Sequence, residues 1–408
     1  MTKITLLQNT FPESRLILQI KKLILGHQSS IEDFKPYHFP RFSLLKNRYF
    51  STYKGMFLFF SLLFIFQWGN AQIIGPGDWS SVRLYGHAYD IEDFSKEEYD
   101  FIANHFYYFT IEKRHAREIY GATSSERASA ATAAKIVANN SNTHPLFYWN
   151  TKVVYDEIYE TVQDSIAANP DWASGKNGGG NWTDTAYASE EFRTWFVDVV
   201  EDMVNNYAHE GTFLDAALSV GGHISPTAGA YLKDMMAEMP GPTIFNGFGP
   251  NTPYARFDYL ETAEGVFLEH FFKTQCDNLA KGKKMLDDLL LVPNEKIIIA
   301  NAGPEAFWNT TDHKFSLAAF LIIANDNSYY HWMPSANNWS SDHLMFWDEE
   351  MPSANNWSSD HLMFWDEDFG KYLGPPLGPA SVNGYVYTRE FDNASIDLET
   401  KPLWTGSP

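Results

Sequence analysis

The sequence predicts an α/β fold, a (β/α)8 barrel of eight parallel strands followed by a short C-terminal β-hairpin. Beyond residue 80, short apolar runs rich in aromatic and β-branched residues alternate with longer amphipathic stretches, the order of repeated strand–helix units. Eight such runs occur, the number that closes a barrel. The glycine-rich first turn of a dinucleotide-binding open sheet is missing from the first unit.

The strand-like runs fall at 82–86, near 101–109, and at 146–149, 211–215, 243–246, 265–269, 296–301 and 328–332. Helical patterns lie between them at 125–139, 154–168, 189–207, 270–288 and 314–324. In 189–207 the residues Phe192, Trp195, Phe196, Val199, Val200, Met203 and Val204 recur three and four apart, the stripe of a helix packed on a sheet. Past Gly374-Pro375-Pro376 the pattern alternates: 384–391 and 394–398 flank a turn at Asp392-Asn393, which makes a hairpin and not a further domain. The chain thus divides into an N-terminal extension with a signal peptide (1–71), the barrel (72–380) and a β-rich extension (381–408).

The signal peptide is read from 56–68, an uncharged run preceded by Lys54 and followed by Gly69-Asn70-Ala71. Small residues at 69 and 71 suit cleavage after Ala71, so a secreted or periplasmic mature chain is expected. The run is too short for a stable membrane anchor. Residues 333–350 and 351–368 are identical at 17 of 18 positions. A repeat that close is a recent duplication, and one copy is expected to pack while the other bulges.

Charge narrows the partners. The net charge is −21, but residues 1–55 carry nine Lys/Arg and three Asp/Glu, which leaves 21 basic and 48 acidic residues for 72–408. Such a surface repels phosphate, so nucleic acid and anionic lipid are not expected as partners. Cys276 is the one cysteine, which excludes an internal disulfide and any zinc site built on two cysteines. No HExxH, no close histidine pair and no GxSxG occur, so neither a metal, a cofactor nor a serine nucleophile is predicted.

Two strands share one grammar: Gly-Thr-Phe-Leu-Asp at 211–215 and Gly-Val-Phe-Leu-Glu at 265–269. Each acid closes an apolar run, which puts it at the C-terminal end of its strand, where barrels hold their active sites. Side chains alternate along a strand, so Asp215 shares a face with Phe213, and Glu269 with Phe267. Two carboxyl groups reaching one cavity from the fourth and sixth strands suit glycoside cleavage, which needs one ionised and one protonated acid. Asp215 is assigned as nucleophile or base and Glu269 as acid.

Sugar-binding candidates are residues at the other strand ends: Tyr85 and His87, Trp149, Asn150 and Lys152, Asn246, Asn301, and Tyr330 and Trp332. Trp172 and Trp182 flank a glycine-rich loop and offer flat faces on which a pyranose could stack.

With 211–215, 265–269, the run Tyr372-Leu373-Gly374-Pro375-Pro376-Leu377-Gly378-Pro379 and then Tyr387-Thr388-Arg389-Glu390-Phe391, the chain resembles a poorly characterised group of TIM-barrel glycoside hydrolases from polysaccharide-degrading bacteria. The resemblance covers roughly 80–400. It implies a hydrolase of poly- or oligosaccharide with Asp215 and Glu269 catalytic; the near-perfect repeat departs from it. The alternative is a carbohydrate-binding barrel that has lost catalysis.

Overall fold

The structure, a computed structural model, describes residues 3–6, 73–176, 179–248, 256–272, 276, 278–303, 313–333 and 366–400. The apolar run at 56–68 and most of the repeated segment lie outside the described residues.

Eight parallel strands close into a barrel: β2 (Leu84–Ala88), β3 (Phe106–Ile111), β4 (His144–Asn150), β7 (Gly211–Asp215), β8 (Thr243–Asn246), β9 (Gly265–Leu268), β10 (Ile297–Ala302) and β11 (Ser328–Trp332). They follow one another in chain order, and β11 returns to β2 through Tyr330 and Leu84. Two short strands interrupt the β4–β7 crossover, β5 (Val153–Val154) and β6 (Gly180–Asn181), paired antiparallel. The main helices around the barrel are α1 (Lys96–His105), α2 (Ser125–Asn139), α3 (Glu160–Ala168), α4 (Glu190–Asn205), α5 (Pro226–Glu238), α6 (Leu279–Leu289) and α7 (Lys314–Ile323).

The second strand begins later than the sequence pattern suggests. Ser95 accepts from the Glu98 backbone at 3.2 Å, and the Glu98 carboxylate accepts from the Ser95 backbone at 2.7 Å. This reciprocal cap starts α1 at Lys96 and carries 101–105 into its last turns, where Ile102 and Ala103 are buried. The strand therefore begins at Phe106 and ends at Ile111. The helix expected over 270–288 is likewise described only from Leu279, which Asn278 caps through its side chain.

Alternation fills the barrel with rings. Phe213 lies 5.0 Å from Phe267, Tyr85 lies 5.7 Å from Phe267, and Tyr108 lies 5.2 Å from Tyr329, centroid to centroid. The interior is a packed core below the mouth, not a pore. Outside it, α7 has every residue after Lys314 buried. Its outer cover is an antiparallel sheet of β1 (Lys3–Leu6), β14 (Ala394–Glu399), β13 (Val386–Glu390) and β12 (Ser381–Asn383). The Arg389 guanidinium donates to the carbonyls of Leu321 and Ile322 at 3.0 and 3.2 Å, satisfying groups that α7 leaves open at its C-terminus. The expected hairpin is thus β13–β14, widened by a strand on each side. One of these, β1, comes from the segment expected to lie outside the fold.

Gly247 follows β8 with φ +142°, and a Cβ there would fall 2.7 Å from the Leu218 backbone nitrogen. Gly247→Ala is expected to cost about 2–4 kcal/mol through the combined strain and clash, read as a lower midpoint in urea unfolding.

Candidate active site

The mouth of the barrel gathers the strand ends that alternation points inward. Asp215, the last residue of β7, is met by four donors. Tyr148 Oη and Asn150 Nδ2 donate to Oδ2, the latter at 2.8 Å. The Ala216 backbone and Asn246 Nδ2 donate to Oδ1 at 2.7 and 2.8 Å. Donors on both oxygens are the complement of a carboxylate, which only accepts. Asn246 Nδ2 also donates to Glu269 Oε2 at 2.9 Å. One amide nitrogen therefore holds an oxygen of each acid. Ideal bonds along its two hydrogens, about 120° apart, set these oxygens about 5 Å apart.

Glu269 follows β9 and its side chain is 22% exposed, with His270 Nε2 4.0 Å from the carboxylate. Asn301 on β10 donates to the Glu269 carbonyl at 3.0 Å and receives His331 Nδ1 at 2.9 Å on its own oxygen. Beneath both acids lie Phe213 and Phe267, two residues earlier on the same faces, with the His87 ring 4.9 Å from Phe213. This apolar floor keeps both carboxyl groups at the rim.

A third acid joins them. Glu112 directly follows β3, is buried, and bonds His87 Nε2 at 2.5 Å and the Lys113 ammonium. Burial alone pushes its carboxyl up; the Lys113 charge and His87 more than offset that and hold it below its ordinary range. Burial pushes the His87 imidazole down, so the ring is neutral near pH 7 and donates from Nε2. The Lys113 ammonium sits 4.5 Å over the Tyr148 ring. Burial, then the Asp215 charge, pushes the Tyr148 phenol well above its usual value, so it stays a donor.

The backbone is strained at these ends. The non-glycine residues with positive φ are Arg114 (66°), Ala116 (52°), Ala216 (58°) and Phe272 (52°) among the described residues. They follow Glu112, Asp215 and Glu269. Such conformations persist only where surrounding structure fixes them, and they cluster at functional sites.

Of the sequence candidates, the structure brings together Asp215, Glu269, Asn150, Asn246, Asn301 and His87, with Tyr85 one layer below, bonded to Thr110 at 2.7 Å. The tryptophans go elsewhere. Trp149 is 2% exposed and points outward to Tyr159 and Phe196, because Tyr148 and Asn150 take the inward positions of β4. Tyr330 and Trp332 point outward in the same way. Tyr330 bonds Ser316 at 2.8 Å, the Trp332 ring packs near His313, and the inward residue of β11 is His331. Trp172 and Trp182, 6% and 2% exposed, pack on Phe192 and Trp195 instead of offering a face. Lys152 is half-buried on the chain leaving β4, where its backbone bonds Asn150 and Trp182. The sequence reading missed Glu112, Lys113, Tyr148 and His331. Glu112 shows the same signal as the other two acids, a carboxylate closing an apolar run.

An eight-stranded parallel barrel with paired carboxyl groups at its C-terminal mouth is the architecture of a TIM-barrel hydrolase. Residues 138–395 match the model of hypothetical glycosyl hydrolase family 15, and the chain belongs to that family of glycoside hydrolases. No curated protein matches it. Among solved structures it is similar to the glycoside hydrolase domain of PelA from Pseudomonas aeruginosa, at 15% identity over 64% of this chain and 96% of that one, with TM-score 0.41. It is also similar to an alpha-amylase from Geobacillus thermoleovorans, at 9% identity over 78% and 86%, with TM-score 0.45. A family 18 N-acetylglucosaminidase from Paenibacillus barengoltzii gives 12% identity over 78% and 87%, with TM-score 0.35. No helix among the described residues is long and apolar enough to cross a membrane.

Proposed function

We propose that the enzyme cleaves a glycosidic bond of a poly- or oligosaccharide with retention of anomeric configuration, Asp215 acting as nucleophile and Glu269 as acid and then base. The observation that carries this is the shared amide: Asn246 Nδ2 lies 2.8 Å from Asp215 Oδ1 and 2.9 Å from Glu269 Oε2. A separation near 5 Å leaves no room for a water between acid and sugar, as inversion requires, and fits direct attack by a carboxylate, for which about 5–5.5 Å is usual.

The roles follow from the surroundings. Asp215 is surrounded by donors, which favours the anion that attacks the anomeric carbon. Glu269, partly exposed at the rim, gives its proton to the leaving oxygen. It then takes a proton from the water that hydrolyses the glycosyl ester on Asp215. Among the described residues, the amides and hydroxyls at the rim favour a substrate read by hydrogen bonds. The run at 56–71 supports export of the mature chain.

Proton NMR of the first-formed product tests the reading once a reducing-sugar screen of the whole chain, and of the chain from Gln72 onward, has found a substrate. Retention is expected, and an inverted product sinks the proposal. Tyr148→Phe removes one donor from Asp215 and keeps the ring. It is expected to lower kcat about 10–100-fold with little change in KM, measured by steady-state kinetics.

A further inference from the structure

Away from the carboxyl pair, His313, Asp366 and Asp368 bring one ligand atom each within 4.8 Å of one another. We infer that these three side chains hold a divalent transition-metal ion of the Zn2+ type, clasping the start of α7 to the end of the second copy of the repeat. The sequence pattern suggested no metal, because the histidine and the two aspartates are far apart in the chain and only the fold joins them.

Geometry carries the inference. His313 is 3% exposed, and its Nε2 is buried with no hydrogen-bond partner among the described residues. A buried imidazole nitrogen in that state is costly, and a native structure has a reason for it. Nε2 points at Asp366 Oδ1 and Asp368 Oδ2, 3.5 Å from each. A direct bond between an imidazolium and a carboxylate closes to about 2.8 Å. Ligands of a tetrahedral zinc, each about 2.1 Å from the ion, stand about 3.4 Å apart, close to the spacing of the histidine nitrogen from each aspartate oxygen.

The neighbours prepare the donors. Lys371 pairs with the other oxygen of Asp368, Oδ1, leaving Oδ2 toward the histidine. The Asp368 backbone donates to Asp366 Oδ1 at 2.8 Å and fixes the turn that carries both acids. The Phe369 ring, 5.1 Å from the imidazole, and the Trp332 ring, at 6.2 Å, form an apolar wall. One imidazole and two carboxylates suit Zn2+ or Mn2+ better than Ca2+ or Mg2+, which prefer oxygen alone. The two copies of the repeat differ only at Glu350 and Asp368, so the copy that meets the histidine carries the shorter acid.

The test uses the whole chain, stripped with EDTA and titrated with ZnCl2 or MnCl2 by calorimetry and thermal melting. One ion per chain is expected, with Tm raised by about 2–5 °C at saturation. His313→Gln and the double variant Asp366→Asn/Asp368→Asn are each expected to abolish both effects. If His313→Gln fails to fold, the double variant decides, since Asp366 is 33% exposed and tolerates the change. Absence of Zn2+ and Mn2+ binding by the wild type overturns the inference. So does binding that survives in either variant, which would place the ion at other ligands.

Discussion

Asp215→Asn is expected to lower kcat by about 10⁴-fold or more, some 5.5 kcal/mol of barrier, while leaving the fold intact. The amide is the same size and cannot attack the anomeric carbon. Most of its surroundings adapt: the Tyr148 hydroxyl can turn to accept, and the Ala216 and Asn246 donors still find an oxygen, while the Asn150 amide alone loses its acceptor. Circular dichroism and the melting temperature should match wild type while hydrolysis falls to the detection limit. Retained binding to an unhydrolysed oligosaccharide would separate lost chemistry from lost affinity. Activity within tenfold of wild type would remove Asp215 from the reaction.

Glu269→Gln is expected to cost about 10²–10⁴ in kcat/KM on natural linkages, where the leaving oxygen needs a proton. Aryl glycosides with acidic phenols leave without one, so on them the first step should be nearly unimpaired. The ratio of the two losses identifies the proton donor. An equal loss on both substrates would instead give Glu269 the nucleophile's role. A wild type that binds glycans and hydrolyses none would favour the carbohydrate-binding alternative.

The barrel was legible because its evidence is repetitive: eight apolar runs, each followed by a polar loop or a helical stripe. The acids at 215 and 269 were legible because each breaks an apolar run at its end. What escaped was phase. Trp149, Tyr330 and Trp332 were singled out as large aromatics at strand ends, yet a strand turns alternate residues to opposite sides. The smaller neighbours Asn150 and His331 face the cavity instead. Glu112 escaped for a related reason. The capping pair Ser95 and Glu98 turns 101–105 into helix, which shifts the second strand toward Glu112 and puts that acid at the rim. Richness in tryptophan was likewise ambiguous, since a ring that suits a sugar also suits a core. Here Trp172 and Trp182 line the underside of the loop they were expected to display.

The amide shared by both carboxyl groups belongs to the dipeptide Asn246-Gly247. An unhindered glycine nitrogen is the best placed of all to attack the preceding carboxamide and expel ammonia. The enzyme has put its bridging donor in one of its three Asn-Gly dipeptides, the others being 177–178 and 383–384. Conversion to aspartate would set a third anion between two others and drive them apart. The extended turn at Gly247, pinned against Leu218, opposes the ring closure that this ageing requires. Long-lived activity would then depend on the stiffness of that one joint, and the shelf life of the catalyst would be written in a residue that never touches the bond being broken.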